Sequence, residues 1–136
     1  MPRPGFIDHL GIAVPDLAAA KLYYDELMPV LGLKRWFETS PTFNYGPDGG
    51  RGTQLFFYQA REPAEYSRHG TGLHHIAFTV PSRAIVREAH RWAISHDAEI
   101  LDEPRAFPEY GAHCYATYWL DPHGFKLEVV CHSPED

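Results

Sequence analysis

Two stretches of this chain alternate bulky apolar residues with small or polar ones, and each is a copy of the other. Asp8-His9-Leu10-Gly11-Ile12-Ala13-Val14-Pro15 is matched, 66 residues further on, by His74-His75-Ile76-Ala77-Phe78-Thr79-Val80-Pro81. A period of two is the signature of a β-strand, because successive side chains point to opposite faces. Leu10, Ile12 and Val14 therefore share one face, as do Ile76, Phe78 and Val80, and these bulky faces are predicted to pack on helices. The opposite faces carry His9, Gly11 and Ala13, and His75, Ala77 and Thr79. A histidine followed by small residues is what a concave, ligand-accessible sheet surface needs.

After each Val-Pro comes a residue able to cap a helix, Asp16 or Ser82, followed by apolar residues at helical spacing. Leu17, Ala20, Tyr24, Leu27 and Leu31 form the first stripe, with Met28 as core filler. Pro29 with Gly32 marks the region where that helix must end. The second stripe, Ile85, Ala89, Trp92 and Ala93, lies between about Ser82 and His96, with Arg83, Arg87, Glu88 and Arg91 on a solvated outer face. Strand-like segments follow each helix: Lys34 to Glu38, Thr42 to Tyr45 and Thr53 to Tyr58, then Glu99 to Leu101, His113 to Leu120 and Phe125 to Cys131. Each half reads βαβββ. Gln59 to Gly72 is polar, contains Pro63 and two glycines, and has no period, so it reads as a linker. The expected organisation is one domain over residues 1–136, with a first module at about 5–60, a linker at about 59–72 and a second module at about 73–132.

Composition narrows the class. The 136 residues are 44% hydrophobic and hold no apolar run long enough to cross a bilayer, so a compact soluble domain with no membrane partner is expected. The start of the chain has no basic segment leading into an apolar one, which makes the cytoplasm the expected location. Cys114 and Cys131 sit in apolar runs and read as buried thiols. A net charge of −6, without clustered Lys and Arg among aromatics, lacks the electrostatic footprint of a nucleic-acid binder and points to a small-molecule partner.

The candidate chemistry comes from the repeat. In the last strand Leu127, Val129 and Cys131 share the apolar side, so Lys126, Glu128 and Val130 face the other way, and a carboxylate joins His9 and His75. Two neutral imidazoles and one carboxylate suit a divalent metal: Fe(II), Mn, Zn, Ni or Co. His74 points away from His75's face on this reading. The aromatics Trp36, Phe43, Tyr45, Phe56 and Tyr58 are either core or a stacking surface.

The segments DHLGIAVPDL, GLHHIAFTVPS and DPHGFKLEVV, within a paired βαβββ plan, resemble the vicinal oxygen chelate superfamily of glyoxalases, bleomycin-resistance proteins and extradiol dioxygenases. The resemblance covers essentially the whole chain. It implies an α+β fold in which two βαβββ modules form a cupped, partly open mixed β-sheet barrel with the helices outside. It also implies that the first-strand histidine of each half and the last-strand glutamate ligate one divalent metal, which carries over to His9, His75 and Glu128. Glyoxalase I and methylmalonyl-CoA epimerase add a ligand from the last strand of the first half. Matching Leu55 with Leu127 sets Phe56 opposite Glu128, whereas a shifted alignment sets Gln54 there; the first is favoured.

A three-ligand site leaves open positions, as in extradiol dioxygenases. Tyr118, ten residues before Glu128, and then Asp121, Pro122, Gly124 and Glu128 follow the closing motif of those enzymes in order, making Tyr118 a candidate catalytic residue. His113 is a second candidate, although it stands closer to Tyr118 than that motif's histidine. The expected function is a metal-dependent enzyme acting on a small substrate through vicinal oxygens, with a dioxygenase-like site. The alternatives are a glyoxalase- or epimerase-like lyase or isomerase, and a drug- or metabolite-binding protein of the bleomycin-resistance type. Pairing into a homodimer is common among single modules of the family.

Overall fold

The computed structural model describes residues 4–39, 42–62 and 64–134. Pro63, one of the markers of the linker, lies outside the described residues. The fold is α+β, with eight strands and two α-helices among the described residues: β1 (His9–Val14), α1 (Leu17–Val30), β2 (Leu33–Thr39), β3 (Thr42–Pro47), β4 (Gln54–Gln59), β5 (Ile76–Thr79), α2 (Arg83–Ser95), β6 (Glu99–Ala106), β7 (Tyr115–Leu120) and β8 (Lys126–Cys131). They form two four-stranded mixed sheets of the same topology, β1-β4-β3-β2 and β5-β8-β7-β6. The chain divides into two compact units after residue 63, each holding one sheet and one helix. No helix among the described residues is long and apolar enough to cross a membrane.

Both helices start where the caps predict. The Asp16 carboxylate accepts the Ala19 amide at 3.0 Å, and the Ser82 hydroxyl accepts the Ile85 amide at 3.3 Å, each satisfying a donor that the first helical turn leaves open. Pro29 is tolerated within the last turn of α1. The chain then leaves the helix through Leu31 and through Gly32 at φ +77°, a left-handed conformation that glycine adopts without strain.

In the first unit the core is aromatic. Phe57 of β4 has no exposed surface and its ring lies 4.6 Å from that of Tyr24 on α1, 5.4 Å from Phe43 and 6.0 Å from Tyr45. Phe43 and Tyr45 are thus core, not part of a stacking surface. Beside them Asp25 of α1 gathers the Tyr45 hydroxyl at 2.7 Å, Arg35 at 3.0 Å and Lys21 at 3.3 Å, tying the helix to β2 and β3. Asp25→Ala removes the acceptor of a buried phenol and is expected to cost about 1.5–3 kcal/mol, the range for hydrogen bonds to a charged group, read from the urea unfolding midpoint.

One predicted face and one predicted strand length need adjustment. Val14 is fully buried as expected, but Leu10, at the other end of the same face of β1, remains 42% exposed. The strand expected at Glu99 to Leu101 continues to Ala106, passing Pro104 with register shifts on both sides of Asp102. β6 is an edge strand of its sheet, where a missing N–H costs no ladder bond.

Candidate metal centre

In the second unit β8 lies between β5, parallel to it, and β7, antiparallel to it. Its Glu128 pairs with Ala77 on one side and Tyr118 on the other. Leu127, Val129 and Cys131 have no exposed surface and lie on the side where α2 packs. Glu128 therefore faces the opposite surface, as alternation requires. There a cavity of about 460 Å³ is lined by His75, Ala77, Tyr118, Lys126, Glu128 and Val130, with His74, Tyr110, Cys114 and His132 completing its wall. The β7–β8 turn secures this register: one carboxylate oxygen of buried Asp121 accepts the amides of His123 and Phe125, both at 2.9 Å.

Glu128 is 8% exposed, and burying a carboxylate is unfavourable unless partners compensate. The Tyr118 hydroxyl compensates by donating a hydrogen bond to it, and His75 Nε2 stands 3.3 Å from its Oε1. Burial, then the Glu128 charge and that hydrogen bond, push the Tyr118 phenol far above the usual tyrosine range, so it stays protonated and acts as a donor. Lys126 Nζ sits 4.7 Å from the centre of the Tyr118 ring, and the Phe107 ring packs edge-on at 5.5 Å. Burial and the nearby Glu128 raise the Cys114 thiol as well, which keeps it neutral at the cavity wall.

In the first unit His9 opens β1 with its side chain 55% exposed. Its Nδ1 is 2.7 Å from Asp8 Oδ2, and its ring stands edge-on to Phe56 at 5.2 Å. The pairing of β1 with β4 sets Leu10 beside Leu55 and Gly11 beside Phe56, just as β5 and β8 set Ile76 beside Leu127 and Ala77 beside Glu128. Phe56 therefore occupies the position that Glu128 holds in the second half. Gln54 pairs with His9, and its side-chain Oε1 accepts a 2.6 Å hydrogen bond from the Nδ2 of buried Asn44.

The structure thus brings His75, Glu128 and Tyr118 together in one unit and places His9 in the other. Among the described residues no group of three or more His, Cys, Asp or Glu side chains forms a ready metal cage. His113 lies in an exposed turn ahead of β7, which begins at Tyr115 rather than at His113, and it does not line the cavity. His74, read from alternation as pointing away, lines the cavity, and its Nδ1 is 2.8 Å from that of His75. Residues 73–75 precede β5, so strand alternation does not govern them. Loss of solvent and then the neighbouring His75 lower the His74 pKa. His132 was legible, since it extends the Glu128, Val130 series by one more step of two.

A family model described as Glyoxalase/Bleomycin resistance protein/Dioxygenase superfamily matches residues 6–129. An uncharacterized Bacillus subtilis (strain 168) protein, YqjT, is 28% identical over 128 residues, covering 92% of this chain and 98% of its own length. The crystal structure of a candidate glyoxalase from Bacillus halodurans superposes with a TM-score of 0.76 at 27% identity, over 93% of this chain and 96% of that one. Lactoylglutathione lyase from Agrobacterium tumefaciens shares the fold at a TM-score of 0.66 and 21% identity, over 96% of each chain.

Proposed function

This chain belongs to the Glyoxalase/Bleomycin resistance protein/Dioxygenase superfamily, and on that premise we propose that it is a divalent-metal-dependent enzyme whose small substrate presents two vicinal oxygens. We take His9, His75 and Glu128 as its ligands.

The observation that carries this reading is the 3.3 Å separation of His75 Nε2 and Glu128 Oε1 at the cavity wall. Metal bonds of about 2.0–2.2 Å at a tetrahedral angle put two donors roughly 3.3 Å apart, so the pair fits one cation without rearrangement. The donor set of two imidazoles and a carboxylate suits Fe(II), Mn, Zn, Ni or Co. When bound, such a cation supplies a Lewis acid for the paired oxygens of the substrate.

The protein's own groups do the rest. The Tyr118 hydroxyl orients the Glu128 carboxylate and keeps a proton at the cavity surface, within reach of a bound molecule. Lys126 adds a positive charge beside the Tyr118 ring, which favours a substrate that is, or becomes, anionic. Phe56 at the position equivalent to Glu128 supports three protein ligands over four, and hence the extradiol-dioxygenase arrangement over the glyoxalase or epimerase one.

Elemental analysis of protein purified without added metal is expected to find a divalent transition metal. Reconstitution with Fe(II) is then expected to give oxygen uptake with a member of a catechol panel. Absence of metal together with tight, metal-independent binding of an aromatic drug would replace this reading with sequestration.

A further inference from the structure

We propose that Asp8 and His74, the residues immediately before the two histidine ligands, are positioning residues that hold each ligand's Nδ1 and so present Nε2 to the metal. The inference rests on the metal reading above and adds to it the tautomer and orientation of both imidazoles.

The two residues hold equivalent places in the repeat, and both engage the same atom of the following histidine. Asp8 Oδ2 lies 2.7 Å from His9 Nδ1, and His74 Nδ1 lies 2.8 Å from His75 Nδ1. An ionised carboxylate only accepts, so His9 must carry its proton on Nδ1, and the lone pair of Nε2 is left free. Between His74 and His75 only one of the two facing nitrogens can bear the shared proton. With that proton on His75, His74 accepts it, and His75 Nε2 turns a lone pair toward Glu128 Oε1 at 3.3 Å. Two lone pairs at that separation repel unless a cation lies between them.

The halves achieve this with different chemistry. Asp8 makes a charge-assisted bond, which raises the donor strength of His9, while neutral His74 leaves His75 a weaker donor. The Asp8 side chain is 83% exposed and His74 is exposed too, so neither is needed to fill a core. A side chain held at 2.7 Å in such exposure adds little to stability. Its contribution is to direct the imidazole.

The test combines tautomer and affinity. Long-range 1H–15N NMR of the metal-free protein is expected to show His9 protonated on Nδ1, and Asp8→Ala is expected to return it toward the Nε2-protonated form that free histidine favours. By calorimetry, Asp8→Ala and His74→Phe are each expected to weaken Zn(II) binding by about 10–100-fold, the usual effect of losing an outer-shell partner. Phenylalanine keeps the edge-on ring contact between residues 74 and 75 and removes only the nitrogen. Asp8→Asn retains an acceptor oxygen and is expected to restore the tautomer and part of the affinity. His9 protonated on Nε2 in the wild-type protein, or unchanged zinc affinity in both Asp8→Ala and His74→Phe, overturns the inference and leaves the metal reading standing. Failure of the wild-type protein to bind zinc, manganese or Fe(II) overturns both.

Discussion

Glu128→Gln is expected to reduce metal affinity by more than the about 10–100-fold that an outer-shell partner contributes, and to remove metal-dependent activity, while the protein unfolds at the same temperature or higher. The two effects separate because the carboxylate is held in place at a cost to the fold. Glu128 is 8% exposed in a strand whose neighbours Leu127, Val129, Val130 and Cys131 are all buried. A charge in that setting needs compensation from its partners. Glutamine has nearly the same shape, can still accept from the Tyr118 hydroxyl, and carries no charge to desolvate. A residue retained against stability is characteristic of a functional site. His75→Ala is expected to lose the metal equally, without the gain in stability, since His75 is exposed rather than packed. Calorimetric metal titration and thermal unfolding of the metal-free proteins check both. A Glu128→Gln variant that is strongly destabilised yet binds metal normally would make Glu128 a structural residue.

Much of this site could be read from period and repeat. In β5 the alternation holds, with Ile76 buried and Ala77 at the cavity, and matching Leu55 with Leu127, a shift of 72 rather than 66 residues, set Phe56 against Glu128, the register that the sheets display. The caps Asp16 and Ser82 were legible because capping is chemistry local to four residues. The features that escaped depend on where alternation stops. His74 and His113 lie outside strands, so a rule for strand faces gave no information on either. The length of β6 was hidden because Pro104 reads as a break, and only the sheet order reveals an edge strand that tolerates it. The Asp8–His9 contact was present as adjacent letters, but rotamers decide it, and the sequence does not record them.

Phe57→Ala is expected to destabilise the first unit by about 3–5 kcal/mol, whereas Phe56→Ala, one residue away, is expected to cost a small fraction of that. The contrast follows from the two faces of β4. Phe57 is fully buried, and its neighbours on α1 and β3 are themselves large rings, so truncation leaves a cavity that rigid aromatics cannot collapse into. Phe56 is only partly buried and touches His9 edge-on and Tyr58 at 6.4 Å on the opposite surface. Its loss removes a wall from the His9 imidazole rather than a piece of the core. Phe56→Ala should therefore appear chiefly in metal affinity, and Phe57→Ala chiefly in the urea midpoint followed by circular dichroism. Equal destabilisation by the two would mean that β4 does not divide core from site, and Phe56 would then be a packing residue rather than a wall of the His9 imidazole.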